Sequence, residues 1–427
     1  MENRVLRVSS SHGHIRVWTA SLFAAEEIPS AMVTFVSLLM FLQMGMPVWG
    51  VTWAAALLFV PWIMKSWVRS YVRRAGHFRR FLQIAEGLMT LALAGLAFAL
   101  PHGWGWTVAC LLVVSMLCAW HELLARMYYE RMLRPEEQES HRGIKILASQ
   151  MAVVLTYGLM IMGVGVLQIY FRHRSVSFSW SLGCYLMAGV MLLFTLLHIV
   201  ILSKPFNEEG VSLNTMGGSL RAEMRVIERI RMRPMWWRSI VALFLMLLPQ
   251  SLMFYSRTVF LLDRYADGGL GCTLQEVGFA QGTIGVMAFL SGISAGRWLR
   301  NNVEEVKVRW PMTVALGLSP LMYLIMSCAR PDSLATLCVF TFLAQLLFGF
   351  GLNACLEHVR RISGERYRNT VYLLYIPIIS LCMLVPMGLS GALLGAMDYR
   401  WFFLTDVLTA PVGWGVIWLM YRNKKFV

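Results

Sequence analysis

Charge is scarce in this chain of 427 residues. Only 14% are Asp, Glu, Lys or Arg, against 58% hydrophobic, and acids are the rarer sign, 23 against 38 basic residues. A water-soluble domain carries about a quarter charged residues, so that class is excluded. Paired cysteines are also missing. No CxxC occurs among the eight cysteines, and all but Cys272 fall in apolar runs, where they read as small buried hydrophobes rather than disulfide or metal ligands. There is no GxxxxGK[ST] loop, which excludes direct use of ATP, and no HExxH or nucleophile elbow. The nine histidines show no metal or haem spacing. No enzyme activity and no cofactor are therefore expected. The polar, basic first sixteen residues and the lack of a small-residue exit predict no cleaved signal peptide.

Long apolar runs fill the space that charge leaves. A spanning helix needs roughly 20 apolar residues. Twelve runs qualify: 18–42, 48–65, 81–100, 104–127, 145–170, 179–203, 237–261, 273–298, 309–329, 333–354, 371–396 and 401–421. The net charge of +15 brings no nucleic-acid module with it. Basic residues sit instead in short clusters between runs. With the N-terminus inside, 32 of the 38 Lys and Arg fall in inside segments; the six exceptions are Arg172, Arg174, Arg257, Arg264, Arg330 and Arg400. That asymmetry predicts both termini in the cytoplasm. The longest connection, 204–236, separates an N-terminal six-helix half (1–203) from a C-terminal one (237–427). Within it, Ser219 is a suitable N-cap, and Leu220, Met224, Ile227 and Ile230 form an apolar stripe beside Arg221, Arg225 and Arg229. This segment reads as an amphipathic helix, either lying on the membrane face or acting as a solvated linker. The fold expected is an all-α membrane protein of the major facilitator layout, twelve helices in two halves.

Several stretches resemble the AmpG-like (muropeptide permease-related) branch of the major facilitator superfamily. They are Phe260-Leu261-Leu262-Asp263, Gly268-Gly269-Leu270-Gly271, Val277-Gly278 and Gly282-Thr283-Ile284-Gly285-Val286; weaker matches are Pro61 to Lys65, Arg309 to Met312 and Phe348 to Gly351. The resemblance runs from about residue 20 to about residue 420. It implies proton-driven import of anhydromuropeptides or related solutes through a bacterial inner membrane. The chain departs from that pattern at acidic positions. Arg73 stands where the family has a gating-loop Asp, Arg126 replaces the second Asp of the fourth helix, and Gln250 replaces an acid of the seventh. Of the fourth-helix pattern, His121 matches and Glu122 replaces an Asp.

An ionisable group inside a bilayer costs several kcal/mol unless it meets a cavity or a partner. Glu26 and Glu27 lie eight or nine residues into the first run, just before the helix-kinking Pro29. One of them is expected to bind a proton; the alternative is a structural pair. His121 and Glu122 either line the inner mouth and handle protons or belong to an i,i+4 ladder through Arg126, Glu130 and Arg134. Arg257 falls near the outer mouth, where it would meet an anionic solute or a headgroup. Gln150, Gln250, Gln345, Asn353 and Arg126 are the remaining solute-binding candidates, with helix–helix hydrogen bonding as the competing role for the amides. His198 reads as structural. The expected protein is a monomeric secondary transporter in the lipid bilayer, its partners a small-molecule solute and protons. The rival reading is a non-transporting membrane sensor built on the same fold, motivated by the lost acids at Arg73 and Arg126.

Overall fold

The structure, a computed structural model, describes residues 12–65, 77–203, 228, 232 and 236–422. Arg73 and most of the expected amphipathic segment 219–233 lie outside the described residues. Among the described residues, twelve helices are long and apolar enough to cross a membrane: α1 Gly13–Gln43, α2 Val48–Lys65, α3 Phe78–His102, α4 Trp104–Met132, α5 Pro135–Tyr170, α6 Val176–Ile201, α7 Trp236–Leu262, α8 Leu274–Asn302, α9 Lys307–Ala329, α10 Leu334–Arg360, α11 Ile378–Ala396 and α12 Tyr399–Met420. Each matches one expected run. There is no strand among the described residues.

Two boundaries differ instructively. The fifth helix begins ten residues before its apolar stretch. Pro135 occupies its first turn with Glu136 and Glu137, and the Arg134 amide donates to the Glu137 carboxylate at 2.8 Å. A helix start obeys capping chemistry, not hydropathy. Backbone helix also runs unbroken from Leu334 to Ala396 through the expected inside connection. A straight helix of 63 residues would reach about 95 Å at 1.5 Å per residue. The segment is not one straight rod, since Gln345 and Leu352 before the connection and Ile379 and Met383 after it line the same pocket.

Helical irregularities gather where prolines and glycines sit. In α2, Pro61 lacks the N–H that would continue the ladder, the helix breaks after Leu57, and the stranded Leu58 carbonyl accepts the Ser115 hydroxyl of α4. Wider π turns occur at Met32–Val36 in α1, Val154–Met160 in α5 and Gly278–Gly285 in α8. The last two pack against each other across the two halves.

Packing differs between the two ends of the bundle. At the end carrying residues 12 and 422 the halves have separate cores. One is built on Trp18, Phe78, Leu82 and Tyr128, the other on Leu243, Met312, Cys355 and Ile417. Toward the opposite end one core joins them, running from Met32 and Leu93 to Phe260 and Phe403. Two seams close that far end. In the first, a Cβ on Gly282 would strike the Tyr157 carbonyl and one on Gly158 the Thr283 hydroxyl, so α5 and α8 meet backbone to backbone. In the second, the Thr52 hydroxyl of α2 donates to the Gly388 carbonyl of α11 at 2.9 Å, and Gly391 abuts the Val48 carbonyl.

The resembling loop motif also has a local explanation. Gly268 (φ +92°) and Gly271 (φ +65°) adopt left-handed conformations, and a side chain at Gly269 would collide with Asp263. The turn lets Leu270 and Cys272 donate to the Phe260 and Leu261 carbonyls at 3.0 and 2.7 Å, ending α7, while Tyr399 hydrogen-bonds the Asp263 carboxylate.

Candidate functional site: a two-lobed cavity between the halves

A cavity lies between the halves, in two lobes of about 360 and 410 Å³ that share Glu27, Ser30, Thr34 and Ser380. The first lobe is lined mainly by the N-terminal half and holds Glu26, Glu27, Glu122, Arg126 and Lys145. Glu122 is its anchor. Its carboxylate pairs with Lys65 at 2.6 Å, accepts the Trp62 indole N–H at 3.1 Å, and meets Arg126 at 3.4 Å one turn along α4. The Pro61 break delivers Trp62 and Lys65 to that position. Lys145 rests its ammonium over the Phe23 ring, 3.9 Å from the centroid, with Tyr129 at 5.3 Å. Glu26 and Glu27 have no ion-pair partner among the described residues, and one Glu26 oxygen is buried without a hydrogen bond.

The second lobe is lined largely by the C-terminal half and is mostly apolar, through Phe254, Phe289, Phe348 and Leu352, with Gln150, Arg257, Gln281 and Gln345 among its polar groups. Its floor is the α5–α8 seam. Tyr157 and Thr258 both donate to the Gln281 carbonyl oxygen, the second at 2.8 Å. The Gln281 amide nitrogen makes no hydrogen bond of ordinary geometry, its neighbouring polar group being the Tyr323 hydroxyl. Arg257 is 4% exposed, stacks on Phe254 with its guanidinium carbon 5.3 Å from the ring centroid, and has an unsatisfied Nε. Buried donors left unmatched are uncommon in a finished protein interior, and here they converge on a solute-sized space.

Seven expected site residues therefore come together: Glu26, Glu27, Glu122, Arg126, Gln150, Arg257 and Gln345. Three do not. His121 is fully buried, does not line the cavity, and contacts Glu86 of α3. Adjacent residues on a helix point about 100° apart, so Glu122 takes the cavity and His121 the packing interface. Gln250 donates to the Leu316 carbonyl at 2.8 Å, and the Asn353 amide bonds the Gly349 and Phe350 carbonyls at 3.2 Å, with the Ile293 carbonyl of α8 at 3.4 Å. Both amides bond helix backbones instead of facing the cavity. Arg257 is in the site but not at an outer mouth. Five more residues of α7 follow it, and the sealed seam lies beside it. Lys65 and Lys145 were read as topology signals; the early start of α5, legible in Pro135-Glu136-Glu137, would have put Lys145 inside a helix. Tyr157 and Gln281 carry no signal beyond being polar in an apolar run, whereas Glu86, an acid inside the run 81–100, carries the same signal as Glu26 and Glu27.

No protein-family model matches the sequence, and no curated protein matches it. Solved structures do match. A bacterial homologue of the human lysosomal transporter Spinster, in an inward-facing and unoccupied conformation, is 13% identical over 96% of this chain and 97% of its own, with a TM-score of 0.68. The xylose transporter XylE from E. coli, inward open, is 13% identical over 94% and 95%, TM-score 0.63. A POT family transporter in complex with 5-aminolevulinic acid is 10% identical over 98% of both chains, TM-score 0.70. The fold is that of major facilitator-type transporters, an all-helical bundle of twelve membrane-spanning helices in two halves.

Proposed function

We propose that the protein is a secondary active transporter that takes up an anionic solute, a muropeptide-like sugar–peptide, a peptide or a chelate, together with protons, by alternating access across a bacterial inner membrane. The observation that carries this reading is the cavity itself. It lies between two halves sealed at one end, and it places partnerless carboxyls beside cations and unmatched donors. Lys and Arg clustering favours both termini in the cytoplasm, which makes the sealed end the outer one. Glu26 and Glu27 take the proton. Glu27 stands where the two lobes join and Glu26 beside it in the first lobe, neither with an ion pair to hold it charged, so a proton neutralises them at least cost in the closed state. Glu122 is less suited, because Lys65 and Arg126 already neutralise it. Arg257 and the Gln281 amide receive the anionic group; Gln150 and Gln345 supply further hydrogen bonds. The AmpG-like resemblance supports the sugar–peptide class.

The test is uptake into proteoliposomes under an imposed proton gradient, offering anhydromuropeptides, short peptides and chelates. Accumulation that follows the gradient and is lost in the Glu26→Gln/Glu27→Gln double variant is expected. Accumulation unchanged in that variant removes α1 from coupling. A chain that binds these solutes but moves none of them is the sensor instead.

A further inference from the structure

Outside the cavity, the N-terminal half buries a second ionisable cluster that the transport reading does not use. Glu86 of α3, His121 of α4 and His198 of α6 are all fully buried. Both imidazoles converge on one carboxylate oxygen. His198 Nδ1 lies 2.6 Å from Glu86 Oε1 and His121 Nε2 lies 3.1 Å from the same atom. The other Glu86 oxygen and His121 Nδ1 have no partner. His198 Nε2 continues to the Ser21 hydroxyl of α1 at 3.0 Å, and that hydroxyl reaches the Trp18 carbonyl at 3.2 Å. Four helices are thus tied at one carboxylate.

Counting hydrogens defines two states. Ser21 has one proton to give. When it goes to the Trp18 carbonyl, His198 Nε2 must itself be N–H, and the short Nδ1–Oε1 contact then needs a further proton, on either nitrogen or oxygen. When that proton is absent, His198 turns to its Nδ1–H tautomer, donates to an anionic Glu86, and takes the Ser21 proton at Nε2; the Trp18 carbonyl is released. His121 donates from Nε2 to Oε1 in both states, since charging it would leave Nδ1–H buried without an acceptor. The loaded state is neutral overall; the empty state buries one net negative charge.

We infer that Glu86, His198 and Ser21 form a proton-binding site separate from the solute cavity, holding one exchangeable proton. Its occupancy is passed to the cavity helix α1 through the direction of the Ser21 hydroxyl, five residues before Glu26. The groups that face it are few. Ser21 comes from α1, which also carries Glu26 further along. From α3, besides Glu86, Gln83 and Arg79 donate to the His198 and Ile199 carbonyls at 3.0 Å each. From α4 there is His121, with the cavity-facing Glu122 beside it. From α6, besides His198, there is only the Thr195 hydroxyl near Thr90.

The test needs no solute, so it stands or falls apart from transport. The full chain, labelled with ¹⁵N-histidine in lipid nanodiscs, is titrated from about pH 5 to about pH 10, which brackets imidazole and perturbed carboxyl titration. The His198 ring signals are assigned by their loss in His198→Gln. The expected result is a single one-proton step in which His198 changes charge or tautomer, absent in Glu86→Gln and retained in His121→Gln. A His198 ring that keeps one tautomer and one charge across the whole range overturns the proposal. So does a step that survives in Glu86→Gln. If Glu86→Gln does not fold, the wild-type titration alone decides.

Discussion

The two halves bring unlike chemistry to one cavity. The N-terminal half lines its lobe with three carboxyls, Lys145 and Arg126, with Lys65 bound behind Glu122, and it buries the Glu86 cluster besides. The C-terminal half offers aromatic and aliphatic surface, two glutamines and a single cation, Arg257. Two further buried amides of that half, Gln250 and Asn353, bond helix carbonyls and do not face the cavity. In the proposed mechanism the N-terminal half changes charge, and the C-terminal half keeps shape and receives the anion. Major facilitator halves share a layout by internal repetition, so this division is one of side chains rather than of architecture.

The comparison can be broken in four places. The largest effect is expected at the seam, where the halves must fit. Gly282→Leu overpacks a backbone contact by about 3 kcal/mol or more, which disfavours the sealed far end about a hundredfold. Thiol labelling from the far side of a Cys placed at Gln281 should rise and steady-state uptake should fall; an unchanged labelling rate would show that the seam is not the seal. Next, Glu122→Gln strands Lys65, which pairs with that carboxylate at 2.6 Å. Breaking one side of a buried pair costs about 3 kcal/mol in thermal unfolding, and Lys65→Met in the same chain should recover part of it. A null effect would make the charged lobe less of a network than its geometry implies. Third, Arg257→Gln should raise KM for an anionic solute about thirtyfold, the roughly 2 kcal/mol of a charge-assisted hydrogen bond, and leave melting nearly unchanged. Equal loss with a neutral solute would move Arg257 from recognition to structure. The smallest effect belongs to Gln250→Leu: about 1 kcal/mol of stability and no change in KM.

Most of the fold could be read from hydropathy and from where Lys and Arg fall, because lipid leaves few alternatives to a run of about 20 apolar residues. The site was half legible. An acid in an apolar run is conspicuous, so Glu26, Glu27 and Glu122 stood out. Which face it occupies depends on helix rotation, which sequence spacing does not give. His121 and Glu122 are neighbours in sequence and face different environments; Gln150 and Gln250 look alike in sequence, and only the first reaches the cavity. Lys65 was concealed by its place at the end of a span, where a basic residue ordinarily marks topology, and Lys145 by a helix that starts before its apolar stretch.

The far-end seams close through glycine backbones, hydroxyls, an amide and a phenol. No formal charge takes part in the contacts that hold them. A membrane potential exerts about 2.3 kcal/mol per elementary charge per 100 mV, and only on charge that moves through the field. Opening and closing these seams should therefore be electrically silent. Any voltage dependence has to come from charge elsewhere, such as the carboxyls and cations of the N-terminal lobe, Arg257, the Glu86 cluster with its exchangeable proton, the buried Asp406, and any charged cargo.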